Sequence, residues 1–146
     1  MTRLAVAALL LLLALPAVAA PLDLEVRSAE YRSLRQVRGH FQGGEWNDDV
    51  DAWKGRKHVV MGDLGEALGQ PGVPVERVLA LMGPPDQRLE EPGESTPEDD
   101  RSLWRMAAPT SGSDLLVYEW RGHHDFLYFW AREGKVVRSG WWMALE

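Results

Sequence analysis

The sequence predicts an α+β fold: a helical hairpin packed on a three-stranded antiparallel β-meander, preceded by an irregular N-terminal arm. Three observations lead there. Apolar and aromatic residues alternate with polar ones over Leu115–Arg121, Asp125–Ala131 and Val136–Met143, which is strand periodicity. Gly122 and Gly134 fall where turns are needed. Upstream, apolar residues recur at helical spacing in two stretches, each closed by glycine and proline.

The chain opens on a leader. Arg3 precedes the unbroken apolar run Leu4–Leu15, Pro16 ends it, and Ala17-Val18-Ala19 fits a small-residue cleavage site. Residues 1–20 therefore read as a signal peptide, and the mature protein as exported, periplasmic or secreted. The run is short for a membrane span of about 20 residues, so membrane contact is expected only through this segment if it stays uncleaved. The chain has no cysteine, which rules out disulfides and N-terminal lipidation on cysteine. Loss of Arg3 with the leader takes the formal charge from −6 to −7. An acidic domain is a poor ligand for nucleic acid, whose affinity rests on phosphate neutralisation.

The remaining chain divides into an arm at 21–53 and an αα-βββ domain at 54–146. In the arm, Ser28–Arg38 reads as a short helix with Leu34 and Val37 inward, followed by the glycine-rich stretch Gly39–Gly44. The first hairpin helix covers 54–68, with His58, Met61, Leu64 and Leu68 on one stripe. The second covers 74–82, with Pro74 at its first position, Val75, Val78, Leu79 and Met82 inward, and Gly83 then Pro84-Pro85 beyond its end. Residues 86–101 hold seven acids with Pro92, Gly93 and Pro97, which reads as a solvated acidic loop. A short strand or turn is expected at Ser102–Met106.

Turn chemistry sets the strand register. A two-residue turn at Gly122-His123 places Leu116, Tyr118 and Trp120 on one face with Leu127 and Phe129. A three-residue turn at Arg132-Glu133-Gly134 adds Val137, Trp141 and Met143. That face should pack on the helices. The opposite face carries Glu119, Arg121, Phe126, Tyr128, Trp130, Arg138 and Trp142. It is either an exposed binding surface or is covered by segment 21–50.

The order of parts resembles a known group. Val78–Pro85 is similar to a second helix ending in a Leu-Gly-x-Pro element, with Met82 in place of the leucine. Val117-Tyr118-Glu119-Trp120 resembles its Trp/Tyr-bearing strand, and Gly134-Lys135-Val136-Val137 its second turn. The group is the β-lactamase-inhibitor-like superfamily of small envelope domains, which includes small outer-membrane lipoproteins of the β-barrel assembly machinery. The resemblance covers 54–143 and implies two helices on a three-stranded sheet and a role in protein–protein contact rather than catalysis. Those lipoproteins carry an acylated cysteine that this chain lacks.

The expected function is a non-enzymatic binding module of the bacterial envelope whose partner is another envelope or extracellular protein. Arg121, Phe126, Tyr128, Trp130, Arg138 and Trp142 would make the contact, because aromatic rows flanked by arginines are typical interface anchors. Two alternatives stand beside it. His123, His124 and Asp125 could hold a metal, as a binding protein or a metal-dependent enzyme, although neighbouring strand residues point to opposite faces. Exposed tryptophans among the seven could instead stack on carbohydrate. No phosphate-cradling loop or nucleophile elbow occurs, so no catalytic residue and no cofactor is implied. Asn47, Asp49 and Asp51 have the rhythm of a calcium loop, but Ala52 and His58 stand where its glycine and bidentate glutamate belong.

Overall fold

The computed structural model describes residues 22–107 and 112–144, so the signal peptide expected at 1–20 lies outside them. The elements are α1 (Leu24–Arg35), a 3-10 turn (His40–Gln42), α2 (Asp48–Asp51), α3 (Arg56–Leu68), α4 (Val75–Met82), β1 (Gln87–Leu89), α5 (Glu98–Ala107), β2 (Asp114–Arg121), β3 (Asp125–Arg132) and β4 (Lys135–Met143). The α+β class holds, with four antiparallel strands in the order β1-β2-β3-β4 rather than three. The extra strand is a three-residue edge inside the expected acidic loop, pairing Gln87 with Val117 and Leu89 with Leu115. No helix among the described residues is long and apolar enough to cross a membrane.

Both turns differ from expectation by one residue, and a bulge offsets each difference. Arg121 pairs with Asp125, so the first turn holds Gly122, His123 and His124. A bulge between Glu119 and Arg121 absorbs the added residue, and Tyr118 still faces Leu127. The second turn is Glu133-Gly134, with both residues at positive φ (53° and 73°) as a primed two-residue turn requires. A register shift between Trp130 and Ala131 follows. Val136 therefore faces inward in place of the expected Val137, and beyond the bulge Trp141 remains inward and Trp142 outward. Without that bulge, all of β4 would have turned over, because strand side chains alternate with a period of two.

The inner face packs on α3 and α4. Leu116, Tyr118, Trp120, Leu127, Phe129, Ala131 and Val136 meet Val60, Met61, Leu64, Leu68, Val75, Val78, Leu81 and Met82 in one continuous core. Gly65 permits the close approach of α3: a Cβ there would lie 2.9 Å from a Leu127 methyl. Its carbonyl, at the same contact, accepts a hydrogen bond from the Ser139 hydroxyl at 3.2 Å.

Residues 22–53, expected as an irregular arm, carry the helices α1 and α2 and pack on the main core. Helix α1 starts one turn earlier than expected, capped by the Asp23 carboxylate, and buries Tyr31 and Leu34 in the main core, while Val37 lies outside it and is exposed. It also caps α4. The last carbonyls of a helix lack partners within that helix. Here Ser28 donates to Leu81 O at 2.6 Å, Arg32 to Ala80 O, and Arg35 to Met82 O at 3.3 Å and Pro84 O at 2.7 Å. The Arg35 guanidinium then pairs with Asp86 at 2.6 Å.

The cover of the outer face comes from elsewhere in the chain than segment 21–50. Residues 98–107, expected as the end of the acidic loop and a strand or turn, form the amphipathic helix α5. Glu98, Asp99 and Asp100 occupy its first turn, where acids complement the helix dipole. Trp104 is 8% exposed and packs with Leu115, Val117, Phe126 and Trp130 in a second apolar cluster, bordered by Leu89, Leu103, Tyr128, Val137 and Trp142.

Candidate functional site

The expected site residues are divided among three environments. Phe126 and Trp130 are each only 3% exposed, beneath α5. Tyr128 and Trp142 are half-buried at the margin of the same cluster, and Arg138 lies with its guanidinium 4.3 Å from the Trp130 ring centroid. The outer face is thus a second core in this conformation, not an open aromatic row. Arg121 leaves that face altogether. The bulge at Trp120 turns it toward the end of the sheet, where its guanidinium stacks 3.9 Å from the Trp120 ring and 5.3 Å from Phe41.

His123, His124 and Asp125 also diverge. His123 is exposed, 2.7 Å from the Glu119 carboxylate and 3.3 Å from the Gln87 amide. These three border a cavity of about 420 Å³ beneath the N-terminal end of α5, with Asp99, Asp100, Leu103, Val117 and Phe126. Burial raises the Glu119 pKa, an effect His123 opposes and Asp86 reinforces. His124 and Asp125 line a different cavity, and Asp125 is occupied by the Ala144 N–H at 3.0 Å and Arg121 at 3.5 Å. Among the described residues, no three acids or histidines converge on a position that could hold a metal ion.

The open aromatic surface lies at the end of the sheet and is built by segment 39–58. Asp51, 1% exposed, anchors it: one carboxylate oxygen accepts from His40 N at 3.0 Å and Asn47 N at 2.8 Å. Gly39 leaves room for that carboxylate, since a Cβ there would stand 2.3 Å from it. Two bonds fasten the segment to β2: Trp120 Nε1 donates to Val50 O at 2.8 Å, and Arg121 Nε donates to Asp51 O at 2.7 Å. Lys57, buried, reaches the Trp120 carbonyl at 3.1 Å, and burial lowers its pKa.

This frame holds large apolar side chains out in solvent. Phe41 is 39% exposed, Trp46 55% and Trp53 58%. The Trp46 indole is oriented by a 2.8 Å bond to the Asp48 carboxylate and lies 6.5 Å from the Phe41 ring. Trp53 rests against His58 at 4.3 Å, and His58 in turn contacts Trp120 at 4.4 Å and Trp141 at 5.1 Å. His58 Nδ1 is buried with no hydrogen-bond partner. Burial and then the Arg121 charge lower its pKa, which keeps the imidazole neutral and lets it act as an aromatic spacer. Phe41, Trp53, Trp120, Arg121, His124, Asp125 and Met143 enclose a cavity of about 250 Å³.

Sequence reasoning missed Phe41, Trp46, Trp53 and His58 as a group. They come from a glycine-rich loop and a helix start with no shared periodicity, and only the Asp51 clip and the strand-end bonds bring them together. Comparison of the chain with protein-family models, curated proteins and solved structures finds no match.

Proposed function

We propose that this protein is an exported, non-enzymatic interaction module of the bacterial envelope that grips a partner protein with the aromatic end of its domain. The observation that carries the reading is the exposure of Phe41, Trp46 and Trp53 on a frame tied down by hydrogen bonds to the buried Asp51 side chain. A large apolar side chain held in water gains from burial against a partner, and a prearranged one loses little rotamer freedom on binding. Tryptophan and arginine are the residue types that dominate interface energetics, and Arg121 supports the floor of the cavity beside Trp53. The acidic balance favours a protein over nucleic acid, and the expected leader at 1–20 supports a partner in the envelope or outside the cell.

The carbohydrate alternative also moves to this end, where the exposed Trp53 ring adjoins Arg121 and Asp125. The two readings separate in one experiment. Mature protein and the Trp46→Ala/Trp53→Ala variant are compared by cross-linking in envelope preparations and on a glycan panel. The variant should keep its melting temperature within a few degrees and lose a discrete protein cross-link. An unchanged cross-link pattern would refute the proposed surface, and glycan binding that vanishes in the variant would favour the sugar reading.

A further inference from the structure

The outer face of the sheet, away from the aromatic end, is covered by α5. Helix α5 reaches the sheet through Leu103 and Trp104, while the polar contacts given for its two arginines stay within its own segment: Arg101 with Gly93, Glu94 and Thr96, and Arg105 with Glu98 and Ser102. Beneath it, Trp130 Nε1 is buried without a hydrogen-bond partner among the described residues. The helix also fills its seat incompletely, leaving the 420 Å³ cavity, and it directs Asp99 and Asp100 to the cavity that Glu119 lines from β2. Glu119 already has His123 beside it at 2.7 Å, so α5 brings two further acids to a cavity that holds one acid and one histidine.

We propose that α5 is an exchangeable cover, and that the face beneath it receives an amphipathic helix of a partner protein. The seat defines that helix. It carries a tryptophan or leucine where Trp104 sits, and a lysine or arginine one turn before it, where α5 has Asp99 and Asp100. A basic residue there would remove the two acids of α5 and join His123 in facing Glu119. Docking would uncover and re-cover Phe126 and Trp130, the residues that sequence patterning marks as a binding row.

The probe is a labelled synthetic peptide with the sequence of residues 97–107 in which both Asp99 and Asp100 are replaced by lysine. Fluorescence anisotropy measures its binding to the mature chain and to the Trp104→Ala variant, which weakens the resident cover. The variant should bind about 10-fold or more tighter than the unaltered chain, because the binding-competent state is more populated. The peptide with both native acids should bind several-fold more weakly than the lysine form. No binding to a Trp104→Ala chain that retains its circular dichroism overturns the proposal, as does tighter binding of the acidic peptide. Leu103→Ala replaces that variant if Trp104→Ala does not fold. Hydrogen exchange on the unaltered chain gives an independent reading. Amides of α5 should exchange roughly 100-fold faster than those of β2 and β3, and equal protection in both overturns the exchangeable cover.

Discussion

The two faces of the sheet carry similar side chains and are covered in different ways. On the inner face, α1, α3 and α4 form a continuous layer that is stitched to itself by the Ser28, Arg32 and Arg35 bonds to the end of α4. On the outer face a single ten-residue helix supplies the cover, and among its described side chains Leu103 and Trp104 are the apolar anchors. Full burial of a large apolar side chain is worth about 1.5–3 kcal/mol; Trp104 is buried and Leu103 only partly, so these two anchors hold α5 by roughly 3–4 kcal/mol before the entropy of ordering it is subtracted. Apolar strands thus demand a cover on each side, but not covers of equal strength.

The largest expected effect tests the inner layer. Trp120→Ala removes a 1% exposed indole and the bond to Val50 O, and should cost about 3–5 kcal/mol in chemical denaturation. Asp51→Ala should come next, at about 2 kcal/mol, since it strips two backbone N–H groups of their acceptor. It should also loosen Phe41 and Trp46, visible as a red shift in tryptophan emission. Trp104→Ala should cost less than half as much as Trp120→Ala in global stability, because α5 can open without the rest of the domain. Equal losses would break the comparison between the two faces.

The smallest effect sharpens the inner face alone. Tyr31 is fully buried in the main core, yet its hydroxyl has no hydrogen-bond partner. Tyr31→Phe should therefore be neutral or stabilise by up to about 1 kcal/mol. Burial also raises the pKa of this phenol above its usual 10.0. As pH climbs past 10, the unfolded chain gives up the Tyr31 proton and the native chain keeps it, so stability falls with pH in that range. The Phe variant should show a shallower alkaline loss in melting temperature measured from pH 9 to 11. Lys57, whose pKa is lowered, acts in the opposite direction below 10.5 and is common to both proteins, so it cancels in the comparison.

Much of the fold was legible because its signals are local. The hairpin helices were bounded within two residues by glycine and proline chemistry, and the strands by alternation. Three features were not. Helix α5 is rich in acids, follows a proline-glycine loop, and has an apolar stripe too short to outweigh that composition. The bulges at Trp120 and after Trp130 have no residue signature here, and each was found only as a one-residue offset between turn length and register. The aromatic end depends on Asp51, which the sequence marked only as part of a failed calcium loop.

By itself, the sequence determined the α+β class, the two-sided apolar meander and most of the inner face, and left the outer face open between an exposed binding surface and a covered one. These follow from side-chain periodicity, which the backbone geometry of strands and helices converts directly into faces. The tertiary structure decided which segment covers the outer face, which way Arg121 turns, and that Phe41, Trp46 and Trp53 share one exposed end. Those outcomes depend on contacts between residues far apart in the chain, where a single bulge or a buried carboxylate redirects a side chain that local pattern would place elsewhere.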